Sequence, residues 1–409
     1  MKKNFETRAI HTPFPKKDTY NSLQFPIYEC SAFEFDSAEA MSDAFVGKTS
    51  DHTYSRITNP TVSYFEKRVM ELTEAFSTTA LNSGMAAISN VFFSIAYTGA
   101  NIVTSPHLFG NTYSFFASTL KAFGVETRFC DLTNLTEVEK NIDEHTCAVY
   151  LEIITNPQLE VANLKALSTI AKNKNTPLIA DSTIVPFCAF KAKNFGVNIE
   201  VVSSTKYISG GATNLGGLII DYANFDWSKN PRLADFSKQF GDAAFTTKLR
   251  KEIHRNLGAY MTPHVAHAQL MGLETLSLRF NKAAENCLYL AQKLTQVPQV
   301  VSVNYPGLEN NNFHQLSNSQ FGELPGAMLT FDLASKETCF SFLNKLKLIK
   351  RATNLFDNRS LILHPASTIY GSFQEDVRKQ MNISDNTIRL SVGLENVEDL
   401  LQDIQQAIS

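Results

Sequence analysis

Lys206 closes the run Ser203-Ser204-Thr205-Lys206, and Asp181 lies 25 positions before it. The lysine follows a short, mostly apolar run over 199–202 that predicts a strand. It precedes a glycine-rich stretch, Ser209-Gly210-Gly211-Ala212-Thr213-Asn214-Leu215-Gly216-Gly217. One amine is thereby placed at a strand end beside hydroxyl side chains, with little else cationic nearby. Asp181 ends a second apolar run, Pro177-Leu178-Ile179-Ala180, and Ser182-Thr183 follow it. A lysine that forms a Schiff base and a carboxylate that holds a pyridinium nitrogen are the two protein groups an enzyme using pyridoxal phosphate (PLP) requires. A lysine after a strand is, in isolation, an ordinary solvated residue; Lys206 stands out by the company it keeps.

A phosphate-bearing cofactor needs a cup of donors. Asn82-Ser83-Gly84-Met85-Ala86-Ala87 reads as a helix opening, where glycine permits close backbone approach and the first N–H groups bind an anion. Ser203 and Thr205 add hydroxyls. Taken alone, a Ser-Gly at a helix start is an ordinary turn or cap. Tyr54-Ser55-Arg56 offers a phenol and a guanidinium suited to phosphate or carboxylate, or equally a loop arginine paired with a surface acid. Arg389 sits in the strand-like run Thr387-Ile388-Arg389-Leu390-Ser391-Val392-Gly393. Buried there, it needs a partner, and either a structural acid or a substrate carboxylate would serve. His264 and His267 lack a third ligand and read as structural, so no metal site is expected. Gly47-Lys48-Thr49 ends like a P-loop, but Ser42 stands where the first glycine belongs.

The elements that must position these groups follow from periodicity. Residues 1–60 carry turn formers and little pattern, an irregular arm expected to work outside its own domain. From Thr61, Val62, Phe65, Val69, Leu72 and Phe76 recur at helical steps. Short apolar strands then alternate with helices: 101–104, 127–130, 147–152, 178–181, 200–203 and 218–221. This pattern predicts an α/β domain over 61–260 with a mainly parallel sheet flanked by helices. A smaller C-terminal α+β domain is expected over 261–409, with a long helical segment at 262–294, strands at 300–303 and 327–332, and an amphipathic helix over 395–404.

Bulk properties narrow the function classes. The 409-residue chain suggests more than one domain, and its 44% hydrophobic content is that of a globular protein. A formal net charge of −3 gives no electrostatic case for nucleic acid or an anionic membrane. The start, Met1-Lys2-Lys3-Asn4-Phe5-Glu6, lacks the apolar stretch of a signal peptide, and no window suggests a membrane span. The six cysteines (Cys30, Cys130, Cys147, Cys188, Cys287, Cys339) have no CxxC spacing and read as reduced thiols of a cytoplasmic protein.

With these motifs in order, the chain resembles the Cys/Met-metabolism family of PLP enzymes, the fold-type I γ-family. The likeness runs over nearly the whole length. It includes Thr7-Arg8-Ala9-Ile10-His11, Pro26-Ile27-Tyr28, Tyr54-Ser55-Arg56, Asn82 to Ala87, Asn156-Pro157, Asp181-Ser182-Thr183, Ser203 to Tyr207, His364-Pro365-Ala366-Ser367 and Arg389 to Gly393. The resemblance implies that Lys206 binds PLP and shuttles protons, and that Asp181 partners the pyridinium nitrogen. It implies a phosphate cup of Gly84, Met85, Ser203 and Thr205. Tyr54 and Arg56 would reach the phosphate of a neighbouring subunit, Asn156 would lie near the cofactor's phenolic oxygen, and Arg389 would clamp the α-carboxylate of an amino-acid substrate. Homo-oligomers, catalytic dimers usually paired into tetramers, are expected.

Two departures matter. Most members carry Leu-Tyr-Gly where this chain has Leu108-Phe109-Gly110, so Phe109 keeps a stacking ring but has no O–H. Any acid–base role of that tyrosine must pass to Lys206, Tyr54 or water. Asn111 stands where methionine γ-lyases typically carry cysteine. Asn111-Thr112-Tyr113 and Asn354-Leu355-Phe356-Asp357 look most like the O-acetylhomoserine sulfhydrylase branch, whose usual form is Asn-Leu-Gly-Asp; Phe356 could narrow or reshape the site. The implied reaction is γ-replacement on an O-acylated homoserine by sulfide or a small thiol. Alternatives are γ-elimination, as in methionine or cystathionine γ-lyases, cystathionine γ-synthesis, or a non-catalytic family member.

Overall fold

Asn59 and Pro60 open the first long helix of the chain, Pro60–Thr73, in the computed structural model. Asn59 Oδ1 accepts the Thr61 N–H at 2.9 Å, and Glu74 ends the helix in the left-handed region at φ 59°. The structure describes residues 3–16, 18–211 and 213–408. Met1 and Lys2 of the N-terminal run and Ala212 of the glycine-rich stretch lie outside the described residues. Val62, Phe65, Val69 and Leu72 form the buried stripe of this helix, whereas Phe76 falls beyond its end and is exposed. The chain divides into two compact units. One comprises residues 1–97, 198–205 and 214–274; the other comprises residues 98–197, 206–213 and 275–409.

In the first unit the strand Gly217–Asp221 runs antiparallel between Ser77–Leu81 and Ile199–Val202. Helix Gly84–Ile95 packs on these strands through Ala87, Ile88, Val91 and Ile95. Helix Pro60–Thr73 packs on Ser77–Leu81 and on helix Pro263–Glu274. Between the two helices Arg68 is buried. It donates to Glu274 Oε1 at 3.1 Å and to the Tyr64 hydroxyl at 2.9 Å, so this buried cation is compensated. The N-terminal arm is less irregular than its sequence suggests. Phe5–Ile10 and Ala38–Phe45 are helical, the latter capped by Ser37, whose Oγ accepts the Ala40 N–H.

The second unit holds four parallel strands in the order Glu126–Phe129, Asn101–Thr104, Thr146–Glu152, Leu178–Asp181. Their registers bring Glu152 opposite Asp181 at the strand ends, the edge of a parallel sheet at which ligands characteristically bind. A five-stranded sheet follows, ordered Lys350–Arg351, Leu361–Leu363, Thr387–Ser391, Met328–Asp332, Ser302–Asn304. It is antiparallel except for its first pair. Helices Leu276–Leu294, Lys336–Lys345 and Val397–Ile408 pack beside it. Asp403 fastens the last helix by accepting the Lys347, Leu348 and Ile349 N–H groups, each at 2.9 Å.

The mainly parallel reading thus holds for the four strands over 101–181 of the second unit, while the strands of the first unit pair antiparallel. Among the described residues no helix is long and apolar enough to cross a membrane.

Phe356 packs against the residue that follows Lys206. Its side chain is buried and stacks on Tyr207 with ring centroids 4.3 Å apart. Its φ of 56° is left-handed, which explains why the family's usual form has glycine there. The Phe356 N–H donates to Ser391 Oγ at 2.7 Å and helps hold that backbone. Phe356→Ala should lose about 3–5 kcal/mol in urea unfolding of the cofactor-free protein. Phe356→Gly loses the same ring but relieves the backbone, so it should be about 1 kcal/mol less damaging. Equal losses would show that the left-handed turn carries no strain.

Candidate active site

In the second unit, hydrogen bonds join most of the residues singled out by sequence. Lys206 Nζ donates to Asn354 Oδ1 at 2.7 Å. The main-chain oxygens of Thr353 and Asn354 accept from Arg389 Nη2 at 3.4 and 3.3 Å. Arg389 Nη1 in turn donates to Asn156 Oδ1 at 3.2 Å. Asn354 therefore touches both the amine and the guanidinium. Its place in a sulfhydrylase-like segment was legible in sequence; this role was not, because 148 residues separate it from Lys206.

Arg389 is the least compensated charge in this group. It is 2% exposed, and among the described residues no carboxylate forms an ion pair with it. Its Nε has no hydrogen-bond partner among the described residues. Burial lowers its pKa to about 10. Of the two partners left open by the sequence, a structural acid is not the one found. A buried guanidinium held only by carbonyl and amide oxygens retains affinity for an incoming carboxylate.

Lys206 feels that cation. Burial first, and the Arg389 guanidinium second, bring its amine down to about 8, while Asp181 pulls the other way. A substantial share of the amine is then neutral near physiological pH. Asp181 accepts the Thr183 N–H at 2.9 Å. Burial pushes its carboxyl above the usual range, opposed by donors from Thr183 and Tyr150 and by the Lys206 charge. A protonated ring nitrogen would supply the counter-charge that favours the carboxylate. Phe109 begins the short helix Gly110–Ser114, and its N–H donates to Glu152 Oε1 at 2.6 Å. Asn111 is exposed on that helix.

In the first unit, Ser83 caps helix Gly84–Ile95 by accepting the Ala86 N–H at 3.1 Å. A Cβ at Gly84 would stand 2.8 Å from Ser203 Cβ, and one at Gly217 would stand 2.0 Å from the Ser83 carbonyl oxygen. Glycine at these positions lets the helix start, Ser203 and the next strand form a close cradle, which fits a phosphate. Met85 is the second residue of that helix. Thr205 Oγ1 accepts the Gly216 N–H at 3.0 Å and donates to the Gly216 oxygen at 3.2 Å. Its proton must turn before it can serve an anion. Tyr54 is exposed, with the Arg56 guanidinium 5.5 Å from its ring centre, and Arg56 donates to the Arg255 oxygen at 2.6 Å. His264 Nδ1 lies 2.6 Å from Glu29 Oε2. Among the described residues no group of three or more His, Cys, Asp or Glu could hold a metal ion.

The sequence pattern of the Cys/Met metabolism PLP-dependent enzymes matches residues 6–409. O-acetyl-L-homoserine sulfhydrylase 1 of Thermus thermophilus is 36% identical, over 99% of this chain and 100% of that protein. An L-methionine gamma-lyase of Fusobacterium nucleatum is 35% identical, over 98% of this chain and 97% of its own length. A crystal structure of a Campylobacter jejuni protein superposes with a TM-score of 0.95 at 32% identity, covering 99% of both chains. That protein carries a pyridoxyl-lysine monophosphate at its position 205.

The lowered pKa of Lys206 gives a direct test. Only the neutral amine attacks a carbonyl, so covalent capture of pyridoxal phosphate by cofactor-free protein should accelerate with pH and level off above about 8. Stopped-flow absorbance reads this rate. A rate still climbing toward the usual lysine pKa of about 10.4 would contradict the shift.

Proposed function

Because this chain belongs to the Cys/Met-metabolism PLP-dependent enzyme family, we propose that it catalyses γ-replacement on an O-acylated homoserine, with O-acetylhomoserine the favoured substrate and sulfide or a small thiol the nucleophile. The fold is that of the fold-type I PLP enzymes. The observation that carries the choice of reaction is Asn354, which holds Lys206 Nζ from within the sulfhydrylase-like segment Asn354-Leu355-Phe356-Asp357.

In the first unit, Gly84, Met85, Ser203 and Thr205 are the proposed donors to the cofactor's phosphate. In the second, Lys206 holds the cofactor covalently, Asp181 takes the ring nitrogen's proton in a hydrogen bond, Phe109 offers a stacking ring, and Asn156 lies toward the phenolic oxygen. When bound, the cofactor supplies the electron sink that acidifies the substrate's Cα and Cβ protons.

Arg389 holds the α-carboxylate and so fixes which Cα bond faces Lys206. Lys206 Nζ, once the substrate's amine has displaced it, would remove the Cα proton, pass that proton on, and only then, neutral again, remove a Cβ proton. The acyl group departs from Cγ as a carboxylate, the sulfur forms the new bond to Cγ, and Lys206 returns protons to Cβ and Cα. Phe109 has no proton to give, so this burden falls on Lys206, on Tyr54 or on water. Tyr54 and Arg56 are proposed to serve the phosphate of a second copy of this chain. The 43% exposure of Tyr54 supports that reading, because the ring is available to another molecule. A cytoplasmic, homo-oligomeric enzyme follows from the same reading.

The similarity to an L-methionine gamma-lyase supports a second reading, γ-elimination. Asn111, where cysteine is typical of that branch, argues against it. Purified protein given O-acetylhomoserine and sulfide should form homocysteine and acetate. Fast release of 2-oxobutyrate from methionine or cystathionine, without a replacement product, would establish the lyase reading instead.

A further inference from the structure

Glu152 is a buried carboxyl that the reaction above does not use. It ends strand Thr146–Glu152 opposite Asp181. Its Oε1 accepts the Phe109 N–H at 2.6 Å, and the Asn156 N–H faces the same carboxyl and favours its ionised form. The carbonyls of the same two segments share another partner. The Tyr370 hydroxyl lies 3.2 Å from the Leu108 oxygen and 2.8 Å from the Asn156 oxygen. The carboxyl thus holds the Phe109 N–H, and the phenol bridges the Leu108 and Asn156 carbonyls, so the two segments are tied together. Asn156 passes the constraint on by accepting from Arg389.

We infer that Glu152 is a positioning residue that sets the Phe109 ring and the Asn156–Arg389 pair in one frame, through its hydrogen bond to the Phe109 N–H and the Tyr370 bridge from the Leu108 carbonyl to the Asn156 carbonyl. In a chain without a hydroxyl at position 109, only the backbone and packing locate that ring. The frame needs an acceptor at Glu152, and it does not need a charge. Burial, reinforced by the neighbouring Asp181 carboxyl, pushes Glu152 well above the usual carboxylate range, opposed by the Phe109 and Asn156 N–H groups. A glutamine, with the same reach and a carbonyl acceptor, therefore suffices.

The inference rests on Phe109 serving the cofactor and Arg389 the substrate, so its test is read first without either. Hydrogen exchange in cofactor-free protein should be about tenfold faster in peptides spanning 105–112 and 153–158 for Glu152→Leu, and unchanged for Glu152→Gln. Pyridoxal phosphate affinity, followed by its absorption band, and KM for the amino acid should both weaken about tenfold in Glu152→Leu, with kcat less affected. Glu152→Gln should match the parent in both. Unaltered exchange in Glu152→Leu would overturn the frame. So would a Glu152→Gln variant as impaired as Glu152→Leu, since charge would then be the requirement. Faster exchange without any change in cofactor or amino-acid affinity would overturn the link to the site.

Discussion

A buried guanidinium without an acid organises this molecule's chemistry. Arg389 lies in the middle strand of the five-stranded sheet, its Nη atoms shared among the Asn156 side chain and the Thr353 and Asn354 carbonyls. Removing a charge from water costs several kcal/mol even after relaxation, and neutral oxygens return only part of it. Arg68 shows how the same chain treats a structural cation: Glu274 sits at 3.1 Å. Among the described residues Arg389 has no such carboxylate, which is the contrast on which its proposed role rests. Its field also reaches Lys206, adding to burial in lowering the amine toward neutrality. One charge thus lowers the amine's pKa and, in the proposed reading, is also the group that would receive the substrate's carboxylate.

The carboxyls answer with the opposite arrangement. Glu152 and Asp181 face each other at the ends of neighbouring parallel strands, where two full charges would repel. Their surroundings push them apart: Glu152 meets main-chain N–H groups, whereas Asp181 also has Thr183, Tyr150 and the Lys206 cation. Burial raises both carboxyls, and the additional donors and the Lys206 charge oppose that rise at Asp181. The cysteines take no part. All six are free thiols, and burial holds Cys130 and Cys147 up at about 12.

Much of this was legible before any coordinates. The strand ending at Asp181 has the bounds read for it, and the strand before Lys206 occupies the apolar run 199–202, one residue ahead of the bounds 200–203. These segments are buried on both faces, so their hydrophobicity is continuous and hard to mistake. The strands that escaped notice, Ser77–Leu81, Lys350–Arg351 and Leu361–Leu363, are short or rich in threonine and charge. The arm's helices are brief and rely on caps more than on an apolar stripe. Among the site residues, Lys206, Asp181 and Arg389 announced themselves by type and context. Asn354, Glu152 and Tyr370 did not, because each acts through a hydrogen bond to a residue far away in sequence. Nothing in the sequence reveals that the Phe356 ring turns toward Tyr207.

The central claim is that Arg389 is left unpaired to receive an α-carboxylate. Comparing the affinity of the cofactor-loaded enzyme for norleucine and for norleucinamide, by the change in the cofactor's absorption, isolates that one group. The account predicts that the amide binds about a hundredfold more weakly, and that Arg389→Met abolishes the difference. Equal binding of the acid and the amide by the parent enzyme would contradict it.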